Sequence, residues 1–199
     1  MRRTIFETPI LNTLLHGVSL ALLKVLGWRT EGAAPDAPKY VVIAAPHTTN
    51  WDLPLGLLLA FPFRIRANWM GKDSLFRGPF GALFKWLGGV PIDRSKPHGV
   101  VAQMVEAFRE HDKFVLIIAP EGTRKSVLYW RSGFYHIARG ANVPIVLGFI
   151  DYARKVGGVG PIITPSGDIE ADMEQIRAFY VNVTGKHDRK KPIAIELRH

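Results

Sequence analysis

The sequence predicts an α/β fold: a mainly parallel central sheet flanked by helices, with an amphipathic helix at the N-terminus. Three observations carry this. Strand-like runs alternate with helical segments along the chain, the order that builds β-α-β units. Several runs, above all Lys39–Ala45 (KYVVIAA) and Lys113–Ala119 (KFVLIIA), are continuous β-branched and apolar stretches of the kind buried in a sheet. The chain has 199 residues, 47% hydrophobic and 22% charged, which suits one domain with a sizeable core.

The elements follow in order. Leu11, Leu14, Leu15, Val18, Leu22, Val25 and Leu26 recur at helical spacing, Leu20 and Leu23 widen the stripe, and Asn12, Ser19 and Lys24 lie off it. Arg2 and Arg3 precede this helix, and Trp28 and Arg29 follow it. Two readings stand: packing on the core, or lying in a membrane interface with cationic flanks. Gly32-Ala33-Ala34 is a weak cleavage site. Lys24 within the apolar part, with Arg29 and Glu31 before the site, speaks against a cleaved leader. Residues 1–30 therefore form an N-terminal unit and residues 39–199 the main domain, with Thr30–Pro38 as linker. The 23-residue stretch Val41–Phe63 is long enough to span a bilayer, but Pro46, Pro54 and Pro62 interrupt it. It divides instead into the strand Lys39–Ala45 and a helix Asp52–Phe61, with Asp52 as N-cap and Pro54 in the first turn.

A second strand is expected at Arg64–Met70, a helix at Pro79–Leu87 ending at Gly88-Gly89, and a short extended piece at Val90–Ile92. The helix Pro97–Glu110 places Val100, Val101, Met104, Val105 and Phe108 on one side. After Lys113–Ala119 come a short helix Ser132–Arg139, a strand Val143–Ile150 and another near Gly160–Thr164. A helix capped by Ser166 or Asp168 runs to about Val183. A basic turn, Asp188–Lys191, and a closing strand, Ile193–Leu197, end the pattern.

Composition narrows the function. Cysteine is absent, which excludes a disulfide framework, a cysteine nucleophile and a thiolate metal site. Lysine and arginine number 26 against 17 acids, a formal charge of +9 that attracts nucleic acid, an anionic membrane face or phosphorylated small molecules. The basic residues are scattered, with no aromatic-interleaved basic motif, so nucleic acid is not the expected partner.

Chemistry concentrates after the strands. In Pro46-His47-Thr48-Thr49-Asn50-Trp51-Asp52, the histidine stands at a strand's carboxyl end, where α/β sheets place ligands. Asp52 returning from a helix start would orient the imidazole and leave its other nitrogen as a general base; the plain reading is a turn histidine and a helix cap. In Gly88-Gly89-Val90-Pro91-Ile92-Asp93-Arg94, the guanidinium suits a phosphate or a neighbouring carboxylate. Pro120-Glu121-Gly122-Thr123-Arg124-Lys125 follows the most apolar strand and offers an anion cradle, or only a polar turn. Val143-Pro144-Ile145-Val146 by itself is a buried strand.

In this order, His47-x4-Asp52, GGVPIDR, PEGTR and VPIV resemble the four sequence blocks of the glycerolipid acyltransferase family, typified by the 1-acylglycerol-3-phosphate (lysophosphatidic acid) acyltransferases. The likeness runs from about Val41 to Val146. It implies an O-acyltransferase of phospholipid biosynthesis, peripheral on the cytoplasmic face of a membrane. His47 is then the general base and Asp52 its partner. Arg94, Glu121, Gly122, Thr123 and Arg124 bind the acceptor, with Lys72 placed by its neighbourhood, and Pro144 lies on the acyl-donor side. The partners implied are acyl-CoA or acyl carrier protein, a lysolipid acceptor and an anionic membrane surface. The acyl thioester is a co-substrate, and no metal or other cofactor is called for. A lipid-binding protein of the same fold without turnover is the other reading. Ala119, where the family often has phenylalanine, and Lys125, where serine is frequent, bear on the acceptor rather than on the chemistry.

Overall fold

The computed structural model describes residues 4–93, 99–123 and 129–187, and the backbone of Ala194–Glu196. A 3-10 turn, Ile5–Glu7, leads into α1 (Pro9–Val25), β1 (Arg29–Glu31), β2 (Lys39–Ala45) and α2 (Asp52–Ala60). Then come β3 (Ala67–Lys72), α3 (Asp73–Arg77), α4 (Gly81–Trp86) and β4 (Gly89–Ile92). The second half holds α5 (Gly99–Glu110), β5 (Phe114–Ile118), β6 (Tyr129–Arg131), α6 (Gly133–Ala141) and β7 (Ile145–Asp151). It ends with β8 (Val156–Ile163), α7 (Ile169–Tyr180) and β9 (Ala194–Glu196).

Seven strands form one sheet in the order β1-β8-β7-β2-β5-β3-β4. The five from β7 to β4 are mutually parallel. The turn between β7 and β8 is too short for a crossover, so β8 runs antiparallel to β7, and β1 runs parallel to β8. The expected mainly parallel α/β sheet is therefore present.

Alternation along each strand sorts the core onto two faces. Val41, Ile43, Leu116, Ile145 and Leu147 pack with Met104 and Phe108 of α5, Phe134 and Ile137 of α6, and Met173 and Ile176 of α7. Tyr40, Val42, Val115 and Val146 turn the other way, toward Phe6, Ala60 and Phe61. Met70 and Val90 belong to the first face. Their neighbours Gly71 and Gly89 thus look toward the second, where the Phe76 ring fills the space their side chains would take. Helices α1 to α4 cover one face and α5 to α7 the other. Tyr180 on α7 sits buried behind β2 and β7, its hydroxyl shared between the carbonyls of Ile43 at 2.9 Å and Gly148 at 2.8 Å.

Several elements differ from the sequence reading. The linker begins as β1, paired with β8, and β8 starts earlier than its apolar signal. Arg64 adopts a left-handed φ of 53°, which turns the chain and delays β3 to Ala67. The expected closing strand pairs with β6 in a separate two-stranded sheet. Asp168, rather than Ser166, caps α7 through the amides of Glu170 and Ala171. The basic turn Asp188–Lys191 lies outside the described residues.

Helix α1 is mounted with its polar side inward. Asn12 donates to the Phe6 carbonyl at 2.9 Å, and His16 Nδ1 donates to the Phe61 carbonyl at 3.1 Å. Ser19 and Leu23 are each 2% exposed, whereas Ile10 is 86%, Leu14 60% and Val25 83% exposed. Much of the apolar stripe faces away from the protein. Among the described residues, no helix is long and apolar enough to cross a membrane.

Gly88 is sterically required. Its φ is 85°, and a Cβ there would lie 2.1 Å from the Ala67 carbonyl oxygen. Gly88→Ala is expected to destabilise the fold by about 2 kcal/mol or more, measured by urea denaturation.

Candidate active site

The parallel strands all end at one edge of the sheet, and the candidate residues gather there. His47 follows β2, Glu121 follows β5, and Tyr152 follows β7. After Ala45 the chain turns through Thr48–Trp51 and enters α2 at Asp52. Asp52 is not the N-cap that its position suggests. Trp51 occupies that place, and the Asp52 carboxylate points back into the turn.

Four donors converge on that carboxylate. Oδ2 accepts the backbone amides of Thr48 at 2.8 Å and Thr49 at 2.9 Å, and lies 3.0 Å from His47 Nδ1. Oδ1 accepts the Tyr152 hydroxyl at 2.7 Å. Burial raises the Asp52 carboxyl, but the hydrogen bonds from His47, Thr49, Tyr152 and Thr48 outweigh it and hold the group below the ordinary aspartate value. The same carboxylate and burial push the Tyr152 hydroxyl well above an ordinary tyrosine, burial contributing most. An ionised carboxylate only accepts, so Nδ1 of His47 carries a proton. In the neutral imidazole, Nε2 is then the bare nitrogen. The ring keeps access to solvent, with its side chain 26% exposed against 7% for Asp52.

Glu121 fixes the loop from the neighbouring strand, its Oε2 accepting the His47 backbone amide at 2.8 Å. Gly122 closes the turn after β5 through its amide to the Ala119 carbonyl at 3.0 Å, with φ 66°. A Cβ there would lie 3.0 Å from Nε of Arg131, so the glycine lets that guanidinium lie against the turn. Thr123 is half-buried beside it. Lys72 is exposed at the end of β3, two strands and about 10 Å across the sheet from β2. Arg94 and Arg124 lie outside the described residues. Gln103 of α5 fastens Asp93, accepting from its amide at 3.2 Å and donating to its carbonyl at 3.3 Å.

Pro144 is not brought to the imidazole. It precedes β7, and its carbonyl accepts the Val41 amide at 3.0 Å. His47 lies six residues further along that direction, about 20 Å away. The fourth block here seats β7 against β2.

Sequence reasoning missed Tyr152, Arg131 and the segment after α7. Gly185 packs on Thr48 and Pro46, the His187 amide donates to Thr48 Oγ1 at 3.4 Å, and Lys186 Nζ lies 5.5 Å from the centre of the Trp51 ring. Tyr152 was within reach of the rule that singled out His47, since it follows the strand Val143–Ile150 at its carboxyl end. Among the described residues, no cluster of histidine and acidic side chains could hold a metal ion.

The chain belongs to the acyltransferase family, whose model matches residues 31–147. Among solved structures it is similar to the 1-acyl-sn-glycerophosphate (LPA) acyltransferase PlsC from Thermotoga maritima, with a TM-score of 0.57 at 16% identity. That match covers 83% of this chain and 75% of the other. No curated protein matches the chain.

The lowered Asp52 carboxyl makes a stability prediction. Its contribution is present above the unfolded aspartate value of about 3.9 and is lost as pH falls through the lower folded value. Asp52→Asn is expected to destabilise most at neutral pH, with the gap to wild type narrowing below about pH 4. Urea denaturation across pH measures it; a gap independent of pH would contradict the ionised state.

Proposed function

We propose that this protein moves a fatty acyl group from an acyl thioester, on coenzyme A or acyl carrier protein, to a hydroxyl of a lysophospholipid-like acceptor, with His47 as general base. The observation that carries this reading is the 3.0 Å contact of His47 Nδ1 with an Asp52 carboxylate kept ionised by three further donors. Nε2 is thereby the proton acceptor. It takes the hydroxyl proton as the acceptor oxygen attacks the thioester carbonyl. The C–O bond forms, the C–S bond breaks as the tetrahedral adduct collapses, and the thiolate recovers the proton from the imidazolium. Asp52 stabilises the imidazolium in between. This route needs no covalent acyl-enzyme, in keeping with a chain without cysteine. The acceptor phosphate is assigned to Arg94 and Arg124 on the strength of their sequence blocks, with Lys72 at the end of β3 and Arg131 beside Gly122 as further cations. Glu121, Gly122 and Thr123 form the turn that such a headgroup would meet.

The protein works, in this reading, as a peripheral membrane enzyme. Ile10, Leu14 and Val18 of α1, Leu53 of α2, and Phe80 and Leu83 beside and within α4 are exposed. All lie on the same helical layer of the sandwich. An apolar layer on a chain of charge +9 suits an anionic leaflet, such as the cytoplasmic face of a membrane.

Two measurements test the reading. His47→Ala is expected to lower acceptor-dependent thiol release from acyl-CoA by about a hundredfold or more, assayed with a panel of lysolipids. Retained acceptor-dependent turnover would falsify the base. Leu14→Glu combined with Val18→Glu is expected to weaken co-sedimentation with anionic vesicles by about tenfold. Because both side chains are exposed, the melting temperature should stay near wild type; unchanged vesicle binding would count against α1 as the docking face.

A further inference from the structure

We infer that Tyr152 is a positioning residue of this site: its hydroxyl orients Asp52, and through Asp52 the Nδ1–H tautomer of His47. This rests on His47 being the base proposed above. Asp52 uses its two oxygens unequally. Oδ2 is saturated by His47, Thr48 and Thr49, and all three of those donors come from the single segment 47–49. Oδ1 takes the Tyr152 hydroxyl from a different strand, at 2.7 Å. The terminal torsion of aspartate is broad, so donors on one oxygen alone leave the carboxylate plane loosely defined. A second donor on the other oxygen, arriving from β7, defines it.

The tyrosine is itself held firmly. Asp151, 1% exposed, caps the turn that carries it: Oδ1 accepts the amides of Ala153 at 3.0 Å and Arg154 at 3.2 Å, and Oδ2 accepts Arg154 Nε at 2.7 Å. The Tyr152 amide donates to the Thr184 carbonyl at 2.9 Å. Trp28, just past α1, meets the Tyr152 ring edge-on, with centroids 5.2 Å apart and planes at 89°. The Arg29 amide donates to the Lys155 carbonyl at 2.9 Å, and Lys155 Nζ donates to the Leu26 carbonyl at 3.3 Å. The hydroxyl aimed at Asp52 is thus set by the hairpin between β7 and β8 and by the chain leaving the docking helix. Its raised hydroxyl stays protonated, and so remains a donor, throughout the working pH range.

Removing the hydroxyl has a signature that plain packing lacks. Tyr152 draws negative charge from Asp52. Without it the carboxylate plane is held through one oxygen only, so the imidazole is free to turn and to carry its proton on Nε2. Among the described residues, the titratable groups beside this loop other than Asp52 and Tyr152 are Glu121 on the His47 amide, Lys186 over Trp51 and His187, whose amide donates to Thr48 Oγ1, and Tyr152→Phe leaves all three in place.

The experiment is nitrogen-15 NMR of the histidine imidazoles in the full-length protein, with His47→Ala identifying the His47 signals. Tyr152→Phe keeps the ring and its contact with Trp28, and circular dichroism checks its fold. Wild type is expected to show the Nδ1–H tautomer. Tyr152→Phe is expected to admit the Nε2–H form, seen as the two ring-nitrogen signals of His47 moving toward one another. With acyl-CoA and lysophosphatidate, kcat is expected to fall about tenfold with KM nearly unchanged. An unaltered His47 tautomer in Tyr152→Phe overturns the positioning role, whatever the turnover. A changed tautomer in a protein whose wild type turns over no acyl thioester supports the positioning role and removes the acyl-transfer reading instead.

Discussion

The site depends on one buried carboxylate. Asp52 sits at the start of α2, yet it serves the preceding turn rather than its own helix. Thr48, Thr49 and His47 bind one oxygen, and Tyr152 binds the other. A buried carboxylate is costly unless its oxygens are satisfied, so this set of donors is what allows the ionised form to exist there. The ionised form dictates in turn which imidazole nitrogen bears the proton. The loop geometry, the protonation pattern and the proposed chemistry are consequences of that single convergence.

The sheet makes the convergence possible. Parallel strands deliver their carboxyl ends to one edge, so residues 74 or 100 positions apart in sequence meet there, as Glu121 does with the His47 amide and Tyr152 with Asp52. Tyr180 ties β2 to β7 from below by sharing one hydroxyl between a carbonyl of each strand. Pro144 stands at the start of β7, where its carbonyl accepts the Val41 amide, and the far end of the same strand leads to Tyr152.

The helical layer over the other face has a different logic. Asn12, His16 and Ser19 of α1 look inward together with Leu23, the carbonyls of Phe6 and Phe61 accepting from the first two, while Ile10, Leu14, Val18 and Val25 look outward. Exposed apolar side chains of this kind are what the interfacial reading proposed above would use. The same layer ends at Trp51 and Leu53, beside the histidine.

The alternation of apolar runs with amphipathic helices was enough to read an α/β sheet, because burial on both faces leaves a continuous apolar signature in β2, β5 and β7. Four ordered blocks were enough to name His47 and Asp52 together. Short elements left no such trace: β1 and β6 have three residues each, and pairing with distant strands alone makes them strands. The stripe on α1 was legible, but its direction was not, since periodicity shows that a helix has two faces and not which neighbour each will meet. The place of Tyr152 after a legible strand was within reach, but its partner was not. A hydrogen bond across 100 residues has no local pattern, and only the packing of β7 against β2 brings the hydroxyl to the carboxylate.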